Sequence, residues 1–208
     1  MKVLLINGSP HEKGCTFTAL SEVSKVLEEE KIETELFWIG NKPVQGCVAC
    51  GQCLSNTSAC AFDDDVNLVI QKMKQSDGLV LGAPVHYAAV NGAMTSFCDR
   101  LFHAQKTLFS SKPGAAVVSA RRAGTTAALD QLNRYFPIVG MPVVPSQYWS
   151  MVHGNRPDEV LQDLEGLQTL RFLGRNMAWM IKAFDLAKKS GIPAPEREEP
   201  RQRTNFIR

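Results

Sequence analysis

The chain has 208 residues, 44% hydrophobic and 21% charged, and a formal net charge of +2. That length holds one well-buried α/β domain with an appendage and falls short of two full domains. Charges that alternate in sign leave no basic stripe for nucleic acid, and no apolar run is long enough for a secretory leader's core or a membrane span. The expectation is a cytoplasmic protein that contacts neither nucleic acid nor membrane. In a reducing compartment, its six cysteines point to metal or redox chemistry rather than a disulfide framework.

Strand one is predicted over residues 2–7. It ends in Asn7-Gly8-Ser9-Pro10, and the polar loop His11-Glu12-Lys13-Gly14-Cys15-Thr16 leads into a helix with Leu20, Val23, Val26 and Leu27 on one face. Residues 34–39 form strand two. A non-periodic segment over 40–62 carries Cys47, Cys50, Cys53 and Cys60. Asp63-Asp64-Asp65 supplies negative charge to the start of a helix bearing Val66, Val69, Ile70 and Met73. Residues 78–82 are strand three, a helix opens at Asn91 or Gly92 and runs through Leu101, and residues 115–119 are strand four. A helix over 125–139 and a short fifth strand over 142–145 complete the pattern. Residues 147–156 read as a polar-aromatic loop with Tyr148, Trp149 and His153. A long helical pattern over 158–189 breaks at Gly166 and stops at Gly191-Ile192-Pro193. The charged stretch 194–208 reads as a flexible tail.

Strands that alternate with helices imply parallel pairing and right-handed crossovers. Five strands in this rhythm fit an α/β, flavodoxin-like, doubly wound parallel sheet of order 2-1-3-4-5 with a C-terminal helical extension. Residues 1–145 are expected to form the ligand-binding domain, with the cysteine loop over 40–62. Residues 146–208 form a loop, helix and tail. So long a helix, added after the sheet is complete, either meets a partner subunit or folds back on its own domain.

In this strand order ligands sit past the C-terminal strand ends, at the switch between strands one and three. Those ends here are residues 9–16, 83–91 and 119–126, all rich in Gly, Ala, Ser, Thr and Pro. The first loop lacks the Gly-Lys-Ser/Thr closure of a P-loop and the Gly-x-Gly-x-x-Gly dinucleotide fingerprint. Backbone N–H groups at a helix start, with hydroxyls beside them, suit one terminal phosphate, as in FMN. The competing interpretation is an ordinary strand-to-helix turn with a Thr near its cap.

The sequence resembles the NADPH-dependent FMN reductase and multimeric flavodoxin families in three places. These are Gly8-Ser9-Pro10 with Gly14-Cys15-Thr16; Ala83-Pro84-Val85-His86-Tyr87 followed by Gly92 to Asp99-Arg100; and Val118-Ser119-Ala120-Arg121-Arg122-Ala123-Gly124. The closing residues 203–208 also look family-like. Cys47-Val48-Ala49-Cys50-Gly51-Gln52-Cys53, with Cys60 after six more residues, is similar to the compact motif of iron–sulfur flavoproteins. Two residues depart from the usual pattern: Cys15 stands where Asn is frequent, and His86 where Tyr or another aromatic is common.

The resemblance implies FMN as cofactor and NAD(P)H as co-substrate. It assigns the phosphate to Ser9, His11, Gly14, Cys15 and Thr16, the ring to Pro84, Val85, His86, Tyr87 and Ala88, and the pyrimidine edge to Ser119, Ala120, Arg121, Arg122 and Gly124. Arg121 or Arg122 either balances charge that builds on the reduced ring or lies in a solvated loop. Hydride transfer requires no acid or base from the protein, so no catalytic side chain is assigned. His86, Tyr87 and Trp149 are candidates for the nicotinamide or acceptor slot, with simple packing or a subunit contact as the plainer role.

The implied reaction passes hydride from nicotinamide to flavin N5 and on to a small acceptor: a quinone, flavin, azo compound or metal ion. The alternative is an electron carrier to a protein partner. Three cysteines at x2 spacing and a fourth match a single [4Fe–4S] site on Cys47, Cys50, Cys53 and Cys60. Zinc more often uses two separated Cys-x-x-Cys knuckles. Family members without a cluster keep such thiols free or as a redox pair. A homodimer or homotetramer is expected from the same resemblance.

Overall fold

The computed structural model describes residues 1–55, 59–195 and 204. The tail expected beyond 195 and the closing hexapeptide lie outside the described residues, Thr204 apart. Among these residues, five parallel strands make the sheet: β1 (Lys2–Asn7), β2 (Glu33–Trp38), β3 (Gly78–His86), β5 (Gly114–Ala120) and β6 (Met151–His153). A short β4 (Ala89–Val90) folds back antiparallel on the end of β3. The order β2-β1-β3-β5-β6 is the expected 2-1-3-4-5 once only the parallel strands are counted.

Alternation along β1 sorts its side chains into two cores. Val3 and Leu5 pack beneath α1 (Cys15–Glu29) and α8 (Leu164–Lys189). Leu4 and Ile6 pack beneath α2 (Asp65–Lys74), α3 (Gly92–Ala104) and α5 (Thr125–Asn133). All four are fully buried, each worth about 1.5–3 kcal/mol of transfer free energy. Two layers of helices therefore enclose a central strand that has no polar face.

The register sets the height of the loops. Asn7 pairs with both Trp38 and Gly82, and Pro84 with Ser119. β1, β2, β3 and β5 thus release their chains close together along one edge of the sheet, where an open α/β sheet binds its ligands.

Several boundaries differ from the sequence expectation: β3 runs on to His86 rather than stopping at 82, so much of the expected 83–91 loop is the β3–β4 hairpin, and α3 continues to Ala104 rather than Leu101. The fifth strand is Met151–His153, not residues 142–145, where Val143 makes one isolated bridge to Gly114. Pro142 and Pro145 bring no N–H to a ladder, so the chain leaves the sheet and returns against Val118–Ala120. The helix expected over 125–139 is two, α5 and α6 (Tyr135–Ile138), because Pro137 cannot donate to the carbonyl four residues back. The C-terminal pattern breaks before Gly166. A short α7 (Pro157–Val160) ends first, and Asp163 then caps α8 by accepting from the Gly166 N–H. A one-turn α4 (Lys106–Phe109) joins α3 to β5.

Of the two placements open to α8, the fold uses its own domain. The helix lies along α1, with Leu167, Leu170, Leu173 and Met177 buried and ion pairs Arg171–Glu22 and Lys182–Glu30 at the rim. No helix among the described residues is long and apolar enough to cross a membrane.

Candidate functional site

The loop after β1 is built by side chains on both sides of it. Asn7 Oδ1 accepts from the Ser9 N–H (3.0 Å), and its Nδ2 donates to the Glu12 carbonyl (2.9 Å). Ser9 Oγ accepts from the His11 N–H at 3.1 Å. Trp38, at the end of β2, donates its indole N–H to the Ser9 carbonyl at 2.8 Å. Asn91, from the start of α3, donates to the Gly8 carbonyl at 2.8 Å. Ser9 and Thr16 are buried, while the His11 side chain is exposed.

Gly14 is the N-cap of α1 and offers no side chain to cap it. The first helical backbone bond runs from Thr18 to Gly14, which leaves the N–H groups of Cys15, Thr16 and Phe17 ahead of it, at the positive end of the helix dipole. Thr16 Oγ1 shares a hydrogen bond with Ser119 Oγ at 2.8 Å. That bond joins the β1 loop to the end of β5 across 103 residues of chain. Burial pushes the Cys15 thiol pKa up, and the neutral thiol donates to the Gly154 carbonyl (3.5 Å). No thiolate therefore opposes an anion at this helix start.

Pro84 and Val85 are half-buried, while His86, Tyr87 and Ala88 are exposed, the Tyr87 ring fully so. Tyr87 and Ala88 turn the β3–β4 hairpin with φ of 49° and 59°, the twist of a two-residue hairpin turn that usually selects Asn or Gly. Against that turn lies Gly124, at φ 93°. A Cβ on Gly124 would stand 2.6 Å from Ala88 Cα. The second and third loops thus touch at a point that admits no side chain. Ser119 and Ala120 are buried at the end of β5, and Arg121 and Arg122 extend into solvent. Trp149 lies elsewhere, ahead of β6, in edge contact with Tyr148 (ring centroids 4.8 Å apart) beside the sheet.

The cysteine segment closes on itself. Ala49 and Gly51 take left-handed backbone (φ 54° and 75°) between the thiols. Cys47, Cys50, Cys53 and Cys60 together line one small, mostly apolar cavity, with Phe62, Arg100 and His103 in its wall. Cys60 is fixed to α2 by reciprocal hydrogen bonds with Asn67 (2.8 and 3.0 Å). Burial pushes the Cys53 thiol up. All six cysteines are free, and Cys98 is the buried core residue its helical position suggests. Among the described residues no three His, Cys, Asp or Glu side chains converge on a single ion. The thiols ring a space instead. In a cubane, each ligand takes a different iron.

Arg100 is a deeply buried member of that wall, its side chain 1% exposed. Its Nε donates to Cys60 Sγ at 3.2 Å. Its two terminal nitrogens grip both oxygens of Asp64 at 2.6 and 2.7 Å, and one also reaches the Gln45 carbonyl at 3.2 Å. The Phe62 ring covers the guanidinium at 4.8 Å. Burial works against the charge, but the hydrogen bonds that Arg100 donates to Asp64 and Cys60 outweigh it and raise the Arg100 pKa. Asp64 is itself the N-cap of α2, accepting from the Val66 N–H.

The model of the family described as NADPH-dependent FMN reductase matches residues 1–156. The chain belongs to that family. It is an FMN flavoprotein of the oxidoreductase class on a flavodoxin-like fold. An iron–sulfur flavoprotein of Methanocaldococcus jannaschii is 32% identical over 190 residues, covering 88% of this chain and 98% of that one. Among solved structures, RosB with a bound formylated riboflavin phosphate intermediate superposes with a TM-score of 0.70 at 14% identity, covering all of this chain and 92% of that one. The NAD(P)H:quinone oxidoreductase of Methanothermobacter marburgensis superposes at 0.65 and 17% identity, covering 85% of this chain and 96% of that one. These two likenesses concern the fold.

Asn7, Trp38, Asn91, Asp64 and Arg100 carry much of the construction of both sites. Asn7, Asp64 and Asn91 stand in the sequence as turn or helix-start residues, and nothing local in the chain gives the partners they and Trp38 meet. Asp99-Arg100 was visible only as a family-like helix ending, with no local signal of its place against the cysteines.

Proposed function

We propose that this chain is an FMN-dependent NAD(P)H oxidoreductase that also holds a [4Fe–4S] cluster. The observation that carries the reading is the meeting of three loops at one sheet edge, joined by the Thr16–Ser119 bond beside an uncapped helix start. In this reading Ser9, His11, Gly14, Cys15 and Thr16 hold the phosphate through hydroxyls and backbone N–H groups. Residues 84–88 line the ring. Ser119, Ala120, Gly124 and one of Arg121 and Arg122 face the pyrimidine edge. Bound FMN supplies a two-electron centre between nicotinamide and a small acceptor such as a quinone. The chain's own work is to anchor the phosphate, to exclude bulk from the Gly124–Ala88 contact and to leave the outer side of the hairpin open.

A second reading keeps the FMN but has the protein carry electrons to a protein partner. The four-thiol cavity and the iron–sulfur flavoprotein relative favour it. A [4Fe–4S] cluster on Cys47, Cys50, Cys53 and Cys60 supplies one-electron exchange in either case. Metal ligands must be deprotonated, so loading of the site releases protons from its cysteine thiols.

Stopped-flow mixing of anaerobically purified protein with NADPH separates the readings. Rapid bleaching of the flavin band is expected, and its absence overturns the enzyme in favour of the carrier. Thr16→Val strands the buried Ser119 hydroxyl at a cost of about 1–3 kcal/mol. In a fluorescence titration it should weaken FMN binding by roughly tenfold or more. Unchanged affinity would remove the phosphate assignment.

We also infer assembly of identical chains. Phe172, Trp179 and Leu186 are exposed at seven-residue steps on the outer side of α8, a line that a second copy would cover.

A further inference from the structure

We propose that Arg100 is a positioning residue for the cluster: a buried guanidinium that closes the cysteine loop and raises the reduction potential of the centre through its hydrogen bond to Cys60. This rests on the cluster assignment made above and goes beyond it, because Arg100 is not a ligand.

Three features of the geometry carry it. First, Arg100 binds both ends of the cysteine segment, the Gln45 carbonyl before Cys47 and the Sγ of Cys60 after the last gap. Second, its orientation is fixed from behind. Asp64 holds the two terminal nitrogens as a bidentate fork, and that geometry aims Nε at the sulfur. Third, the charge is desolvated beneath the Phe62 ring. A buried ion pair is weak evidence for stability, since apolar replacements often do as well. Pinning α3 to α2 therefore leaves an N–H aimed at a thiol unexplained.

A positive group and an N–H···S bond withdraw electron density from the thiolate, and cluster potentials respond to both. A cluster held by these thiols would carry one more unit of negative charge after taking one electron from reduced flavin or from a titrant. The reduced form gains more from Arg100 than the oxidised form, and the potential rises. Ligand exchange and proton transfer play no part.

The test compares wild type, Arg100→Gln, Arg100→Lys and Asp64→Asn, each anaerobically purified with FMN and iron measured. Potentiometric titration followed by electron paramagnetic resonance reads the midpoint. Resonance Raman reads the iron–thiolate stretching bands. Arg100→Gln should lower the midpoint and shift those bands to higher frequency while FMN content stays unchanged. Arg100→Lys keeps the charge without the fork and should shift both by less. Asp64→Asn retains a good helix cap but loosens the fork, and should move both in the same direction. It tests the assignment even where Arg100→Gln folds or loads poorly. Iron-replete variants with wild-type midpoint and wild-type Raman bands would overturn the proposal and leave the cluster standing. A wild-type protein without iron defeats the cluster reading first, and this assignment with it.

Discussion

At the scale of single residues, the candidate flavin site depends on groups whose value lies in what they leave out. Gly124 combines a left-handed φ of 93° with a space in which a Cβ would meet Ala88 backbone. Neither constraint can be relaxed by a rotamer change, since the opposing atom is Cα. Gly124→Ala should cost about 2 kcal/mol of stability, read as a lower urea midpoint of the apoprotein, and should weaken FMN binding more than tenfold if residues 119–124 meet the pyrimidine edge. A variant with wild-type midpoint and affinity would show the contact to be slack. Ser9, Gly14 and Thr16 were legible because hydroxyls and glycine at a strand-to-helix turn are a local pattern. Trp38 and Asn91 were not, because their roles exist only after residues far apart in sequence meet at Ser9 and Gly8, whereas Asn7 bonds within its own loop, to Ser9 and Glu12.

At the scale of elements, α8 shows how a helix outside the sheet can govern the site. It lies along α1, whose first turn forms the proposed anion cradle. The two helices pack tightly at Gly174, where a Cβ would stand 3.0 Å from Val26. Gly174→Val inserts a branched side chain into that seam and should cost about 1–3 kcal/mol through overpacking, measured by equilibrium urea unfolding. A midpoint equal to wild type would mean that α8 shifts freely on α1. The ion pairs Arg171–Glu22 and Lys182–Glu30 at the rim are partly exposed and contribute little beside this. The amphipathic period of α8 was plain in the sequence. Its break was misplaced because Gly166 is a tolerated first-turn residue once Asp163 caps the helix. The fifth strand was misplaced for a related reason. The apolar run around Val143 and Val144 has strand character, but flanking prolines deny it a ladder, and only the position of β5 reveals that residues 151–153 fill the vacant edge.

At the scale of the whole molecule, the outer side of α8 is left uncovered by the described residues. Trp179 is 71% exposed on a helix whose opposite side is fully engaged. Trp179→Glu should reduce the molar mass in multi-angle light scattering to that of one chain, 22.9 kDa. A multimer that survives the substitution would move the interface elsewhere, and a monomeric wild type would remove the assembly inference altogether. The two proposed redox sites are carried on different loops of one sheet edge, and α3 links them. Its first residues follow Asn91, which supports Gly8, and Arg100 two turns later reaches Cys60.

The sequence by itself determined the layered α/β order, the three loops that face the same edge and the cysteine spacing. Each of these is a local pattern of period, turn chemistry or separation along the chain. Tertiary structure decided which strand closes the sheet, that α8 returns to α1, and that a buried arginine stands between Asp64 and Cys60. Those outcomes depend on contacts between residues tens of positions apart, and such contacts leave no periodicity to read. The fate of a polar group in the interior is settled by what packs around it, not by its neighbours in the chain.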